Sequence, residues 1–173
     1  TTTAGANGDK NGGTVYDNAG NSANCVADKI VKIDKTPPTC SVTGGSDEWL
    51  NKNSKKTSRI ITATCNDEDG GSGCKTKSFS HEYSTDINTT TAGANGDKNG
   101  GTVYDNAGNS ANCAADKIVK IDKTPPTCTS SGGSTKWTKS AVTLTGTCND
   151  GTSQSKSGCV AKTVTRTITK DTN

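Results

Sequence analysis

The sequence predicts an all-β chain, a tandem array of small antiparallel β-sandwich modules stapled by disulfides. Three observations carry this. A stretch of 40 residues occurs twice, at 1–40 and at 89–128, an offset of 88 residues, and the copies differ only at Val26 against Ala114. A repeat of that length is the size of one small domain. Only 27% of residues are hydrophobic and 3% aromatic, yet eight cysteines recur at fixed places in the repeat. So little apolar surface does not offset chain entropy unaided, but cross-links of about 2–4 kcal/mol each let such a chain fold. Lastly, apolar residues alternate with polar ones along the candidate strands, and no stretch sustains helical periodicity.

Taken in order, residues 1–34 read as the closing strands of one module. Asn7-Gly8 and Asn11-Gly12 are turn signals. Thr14-Val15-Tyr16 is a short strand, and Asp17 to Asn21 a tight turn in which Gly20 and Asn21 suit positive φ. Ser22 to Ile33 reads as one strand, with Ile30, Val31 and Ile33 for apolar contact. In the linker that follows, Pro37 and Pro38 hold an extended path.

Residues 35–122 make one complete module. It opens with a strand from Cys40 to Thr43, a Gly44-Gly45-Ser46 turn and Trp49. A β-branched strand at 59–65 leads into an acidic, glycine-rich loop at 66–73, and Cys74 opens a strand carrying Phe79 and Tyr83. The second copy of the repeat closes the module. Residues 123–173 then begin another: Trp137 answers Trp49, and Leu144, Gly146 and Cys148 answer Ile61, Ala63 and Cys65. Val164 and Ile168 answer Phe79 and Tyr83. Fourteen residues separate Cys74 from Thr89, and fourteen follow Cys159, so Asn173 would run in register into Thr1 of a further copy. Neighbouring identical copies are therefore expected head to tail. They form either one continuous covalent array, or separate subunits in which 1–34 of one copy donate strands to 123–173 of the next.

Charge and composition exclude several classes. Net charge is +3, with 20 basic and 17 acidic residues interspersed and no basic run interleaved with aromatics, so no nucleic-acid partner is expected. No apolar stretch approaches the roughly 20 residues of a membrane span. Neither a signal peptide nor a methionine is present, so Thr1 reads as the edge of a processed or excised piece. Recurrent cysteines point to an oxidising, extracytoplasmic compartment. With no C-x2-C pair and one histidine, zinc does not explain them. His81 is that histidine; its counterpart is Arg166, and no nucleophile is arranged with it. The glycine-rich stretch 93–101 lacks a phosphate-loop pattern. The chain is read as no enzyme. Trp49 and Trp137 read as core plugs rather than ligand platforms.

The acidic loop Asn66-Asp67-Glu68-Asp69-Gly70 has the look of a calcium loop, but its counterpart Asn149-Asp150-Gly151-Thr152 lacks two of the carboxylates, which favours a solvated turn. A second candidate is a junction site for structural calcium, built from Asp34 or Asp122 with Asp17 or Asp105; otherwise Asp17 and Asp105 cap their turns. Asn88-Thr89-Thr90 is a formal glycosylation acceptor. The full module holds Cys40, Cys65, Cys74 and Cys113, which allow three connectivities, and Cys25, Cys128, Cys148 and Cys159 belong to the flanking parts.

Two elements carry a family resemblance. Asp17-Asn18-Ala19-Gly20-Asn21 with Ile33-Asp34-Lys35-Thr36-Pro37, and Asp105-Asn106-Ala107-Gly108-Asn109 with Ile121-Asp122-Lys123-Thr124-Pro125, follow the pattern D-x-A-G-N and I-D-x-T-x-P. This resembles the Ig-like domain arrays of large bacterial surface proteins and adhesins. The G-G-S-x-x-W and C-N-D…S-G-C elements look like a cysteine-rich version. The resemblance covers nearly the whole chain. It implies tandem Ig-like seven-strand sandwiches and export to the cell surface. It also implies calcium held by aspartates at module junctions, though the lysines after Asp34 and Asp122 depart from an all-aspartate site. In an Ig-like sandwich the start of the first strand lies beside the end of the second, and the B–C and F–G turns share a pole. That implies Cys40–Cys65, Cys74–Cys113 and Cys128–Cys148, with Cys159 paired to Cys25 of the next copy.

The expected role is a structural repeat unit of an extracellular stalk or filament, because near-identical copies serve spacing better than selective binding. The alternative is an adhesin module that recognises a host protein or glycan through its loops.

Overall fold

The computed structural model describes residues 2–4, 12–27 and 29–170. The turn signal at Asn7-Gly8, Asn11, and the join at 171–173 lie outside them. The described residues form fifteen strands, β1 to β15, and no helix. They divide into two compact units. One comprises Thr1–Thr39, Cys65–Lys77 and Val103–Ala111; the other comprises Cys40–Thr64, Ser78–Thr102 and Asn112–Asn173.

The first unit is built of short pairs. β1 (Thr2–Ala4) runs antiparallel to β4 (Lys29–Val31), and β2 (Thr14–Tyr16) pairs with β3 (Ser22–Asn24). The predicted strand from Ser22 to Ile33 is thus broken. Cys25 N–H ends the hairpin by donating to the Gly13 carbonyl at 2.8 Å, and the chain then changes partner to β1. In the turn at 17–21, Gly20 adopts φ 92°, and among the described residues only glycines have positive φ, so Asn21 does not. β10 (Thr102–Tyr104) and β11 (Ser110–Asn112) form a second hairpin, whose tip belongs to this unit. Cys74 does not open a strand; it makes a single bridge to Asp105.

Three three-stranded sheets lie mainly in the second unit. β5 (Thr39–Gly44), β7 (Arg59–Asn66) and β8 (Ser78–Tyr83) form one, in that order. Along β7 the burial alternates, with Ile61, Ala63 and Cys65 inward, as a half-buried strand of period two requires. β6 (Ser46–Leu50), β12 (Lys117–Ile121) and β9 (Ile87–Ala92) form the second. β6 and β12 run parallel, which departs from the expected purely antiparallel arrangement. The long connection between them makes a parallel pairing sterically accessible. The double-glycine turn between β5 and β6 takes positive φ, and a Cβ on Gly44 would collide with the Ile60 carbonyl. β13 (Thr127–Gly132), β14 (Val142–Asn149) and β15 (Thr163–Ile168) form the third sheet, fully antiparallel.

The core of the second unit collects Leu50, Ile61, Ala63, Tyr83, Ala92, Val119 and Ile121. Trp49 is half-buried, whereas Trp137 is exposed, so only the former approaches the role of a core plug. The repeat gives an internal control. Ile121 is 0% exposed and its copy Ile33 is 74% exposed; Val103 is 2% exposed and its copy Val15 is 56% exposed. The same side chains therefore stand in two environments within one molecule. Ile121→Ala should cost about 2–5 kcal/mol, whereas Ile33→Ala in the dilute monomer should change stability by less than about 0.5 kcal/mol. Urea unfolding of the two variants checks this; equal losses would show that both isoleucines are packed.

Candidate functional site

Three carboxylates converge in the first unit. One oxygen from each of Asp34, Asp67 and Asp105 lies within 4.8 Å of the others. Each accepts from backbone N–H groups. Asp34 accepts hydrogen bonds from the N–H groups of Thr36 at 3.1 Å and Ser72 at 2.6 Å. Asp67, in the acidic loop, accepts from Gly73 N–H at 2.7 Å. Asp105, only 1% exposed, accepts from Asn109 through its backbone at 2.8 Å and its side-chain amide at 2.7 Å. The loops are tied by Asn106 and Ala107, which donate to the Ser72 carbonyl and hydroxyl at 2.9 and 3.0 Å. Hydrogen bonds from Ser72, its hydroxyl first and then its N–H, hold the Asp34 carboxyl below its ordinary range.

Asp67 Oδ1 is buried and has no hydrogen-bond partner. Among the described residues, no lysine or arginine forms an ion pair with any of the three carboxylates. A set of hard oxygen donors with an unsatisfied buried oxygen fits a hard divalent cation such as calcium and not zinc. The sequence considered Asp34 with Asp105, and the acidic loop, as separate candidates; the fold brings Asp34, Asp105 and Asp67 of that loop together. Asp17 is exposed and caps its own turn, accepting from Ala19 and Asn21 N–H groups at 2.9 and 2.8 Å. The Asn21 side-chain amide, first among its donors, lowers its pKa.

The counterpart loop in the second unit keeps the backbone and changes the charge. Asp122 accepts from Ser157 N–H at 2.7 Å and Asp150 from Gly158 N–H at 2.7 Å, as Asp34 and Asp67 do from Ser72 and Gly73. Where the first loop has Gly71, this one has Lys156, whose Nζ stands 2.9 Å from Asp86 and 3.6 Å from Asp122. Here the protein supplies its own cation. Lys123, the lysine that follows Asp122, points elsewhere and donates to the Thr57 and Ser84 carbonyls at 2.6 and 2.8 Å.

The cysteines pair differently from the expectation. Cys40 bonds Cys113, Cys65 bonds Cys74, and Cys148 bonds Cys159; Cys25 and Cys128 are free. The expected Cys40–Cys65, Cys74–Cys113, Cys128–Cys148 and Cys159–Cys25 links are therefore corrected. Adjacency alone does not decide the pairing: Cys128 and Cys148 face each other across β13 and β14, yet Cys148 takes Cys159. The loop after β7 turns back so that Cys65 N–H meets the Lys77 carbonyl at 2.9 Å, and the Cys148 N–H meets Lys162 likewise at 2.8 Å. The nearest cysteine in sequence, 9 or 11 residues on, is thus brought alongside, at small loop-closure cost. Three disulfides belong to an oxidising compartment, extracellular or periplasmic. No helix among the described residues is long and apolar enough to cross a membrane.

The remaining candidates sit apart from this chemistry. His81 packs edge-on against Tyr83 with ring centroids 4.7 Å apart. Asn88 is exposed on β9, opposite Lys120.

Asp86 carries a pH prediction. The Thr124 hydroxyl first, then the Lys123 N–H and the Lys156 ammonium, lower its pKa from 3.8 to about 2. A folded pKa below the unfolded one means that this stabilisation is complete above the ordinary carboxylate range and lost as pH falls through about 2. Asp86→Asn should therefore flatten the stability profile between about pH 4 and pH 2, read by acid titration of urea midpoints. An unchanged acid limb would count against it.

No protein-family model, no curated protein and no solved structure matches this chain.

Proposed function

We propose that this chain is a structural repeat unit of an extracellular surface stalk or filament, built of Ig-like modules joined head to tail. Residues 35–122 are the complete module, 1–34 the closing strands of the one before, and 123–173 the opening strands of the one after. The observation that carries this reading is the double state of the repeat, packed at 103–121 and bare at 15–33. A unit with one closed module and two complementary open halves suits linear assembly, because a heterologous contact that does not close on itself propagates. In this reading the role is mechanical rather than catalytic. The exposure of Trp137 follows from its half-module's lacking the closing strands, and so does not of itself favour the adhesin reading.

In this reading Asp34, Asp67 and Asp105 hold structural calcium. The cation would supply charge neutralisation between the linker at Asp34, the acidic loop and the turn at Asp105. Calcium should raise the urea midpoint relative to a chelated sample, by about 2.7 kcal/mol at a hundredfold excess over its dissociation constant. Asp67→Asn should abolish that rise. A midpoint indifferent to calcium would remove the metal from this reading.

The function itself is tested by electron microscopy of the oxidised chain, with proteolysis in parallel. Linear, protease-resistant assemblies with a regular axial repeat are expected. Compact particles that capture a defined glycan or host protein from an array would replace the stalk with an adhesin.

A further inference from the structure

Cys25 and Cys128 are free, and their counterparts are bonded to each other. Cys128 lies 88 residues after Cys40, and Cys25 lies 88 residues before Cys113. Cys40 and Cys113 are disulfide-linked with Cα atoms 5.2 Å apart. The molecule therefore contains one finished example of a bond and the two separated halves of another.

The strands around these halves tell the same story independently. β14 and β15 repeat the register of β7 and β8: Leu144 faces Arg166 as Ile61 faces His81, and Gly146 faces Val164 as Ala63 faces Phe79. Yet Leu144 is 44% exposed where Ile61 is 0% exposed. The hairpin of β2 and β3 is likewise formed in advance. Cys25 N–H donates to the Gly13 carbonyl at 2.8 Å, as Cys113 N–H donates to that of Gly101 at 2.9 Å. Thr14 donates to Asn24 at 2.9 Å as Thr102 does to Asn112 at 3.0 Å. So the receiving sheet and the hairpin each hold the local strand geometry of their packed counterparts.

Resting on the assembly reading above, we infer that the β2-β3 hairpin of a second copy of this chain, residues 12–25, docks on the open sheet β13-β14-β15, and that Cys128 of the first copy bonds Cys25 of the second. The chemistry needs an external disulfide as oxidant. The exposed Cys128 attacks it as thiolate, forming a mixed disulfide and expelling one thiolate. Cys25 of the second copy then attacks the Cys128 sulfur, breaks the mixed disulfide and expels the second. Two thiol protons and two electrons leave; the oxidant ends as two thiols. Because the bond joins two different cysteines, each beside a different surface of the chain, the contact is heterologous and makes chains rather than symmetric pairs.

The test oxidises the purified chain with oxidised glutathione and reads it on a non-reducing gel, by peptide mapping and by sedimentation. Wild type should give a ladder whose new cross-linked peptide joins Cys25 to Cys128. Cys25→Ser alone and Cys128→Ser alone should stay monomeric on the gel, and their mixture should give dimers only. Symmetric dimers from either single variant, or a ladder linked through other cysteines, would overturn the inference. The double variant Cys25→Ser/Cys128→Ser separates the two levels of the argument. If it and wild type associate in sedimentation but no Cys25–Cys128 peptide appears, the strand docking stands and the disulfide is overturned. If nothing associates, covalently or otherwise, the assembly reading fails as well.

Discussion

The Cys40–Cys113 disulfide joins β5 to the end of the hairpin of β10 and β11, across 73 residues of sequence. In the chain-entropy account a link of that span lowers the entropy of the unfolded chain by the equivalent of about 4 kcal/mol, more than a 9-residue or 11-residue loop can supply. The second unit depends on it because its apolar core is small: a handful of aliphatic side chains, one tyrosine and several alanines. The two short disulfides do different work. They pin the loops at 66–73 and 149–158 to the ends of β7 and β14, and so decide where the carboxylates of those loops stand.

Those carboxylates act on backbone before they act on any ligand. Asp34, Asp67, Asp105, Asp122 and Asp150 each accept from N–H groups that would otherwise lack partners in irregular segments. The result is a rigid frame of anionic oxygens. In one loop the frame is left with three carboxylates and an orphaned Asp67 oxygen; in the other, Lys156 bridges Asp122 and Asp86. In register, Gly71 of the first loop is replaced by Lys156 in the second, whose ammonium neutralises the carboxylates beside it.

Much of the β-structure was legible beforehand. Period-two burial along β7 follows from Ile61, Ala63 and Cys65, and the D-N-A-G-N turn forms as its residues dictate. What escaped was non-local. Nothing in the spacing of Asp34, Asp67 and Asp105 reveals that three separate segments meet, because Asp34 is drawn in by the N–H of Ser72, 38 residues away, beside the Gly73 N–H that holds Asp67. The disulfide pairing escaped for a related reason. Facing cysteines across a sheet, such as Cys128 and Cys148, satisfied the topological argument, while a loop's return path delivered Cys159 instead. Likewise, the parallel pairing of β6 with β12 depends on a long connection that local patterning does not report.

The repeat separates the two levels within one molecule. Hairpins 14–24 and 102–112 share their sequence and also share their conformation. Gly12 and Gly100 take φ of 75° and 73°, each where a Cβ would strike a cysteine carbonyl, and the cross-strand bonds agree to about 0.1 Å. Sequence by itself determined that much, because turn glycines, Asx capping and short-range hydrogen bonds are satisfied within the segment. Burial was decided only by tertiary structure. Val103 and Ile121 are enclosed while Val15 and Ile33, identical in type and neighbourhood, face solvent. The physical reason is that removing apolar surface from water requires a second surface, and a segment cannot specify by its own residues whether that surface is present.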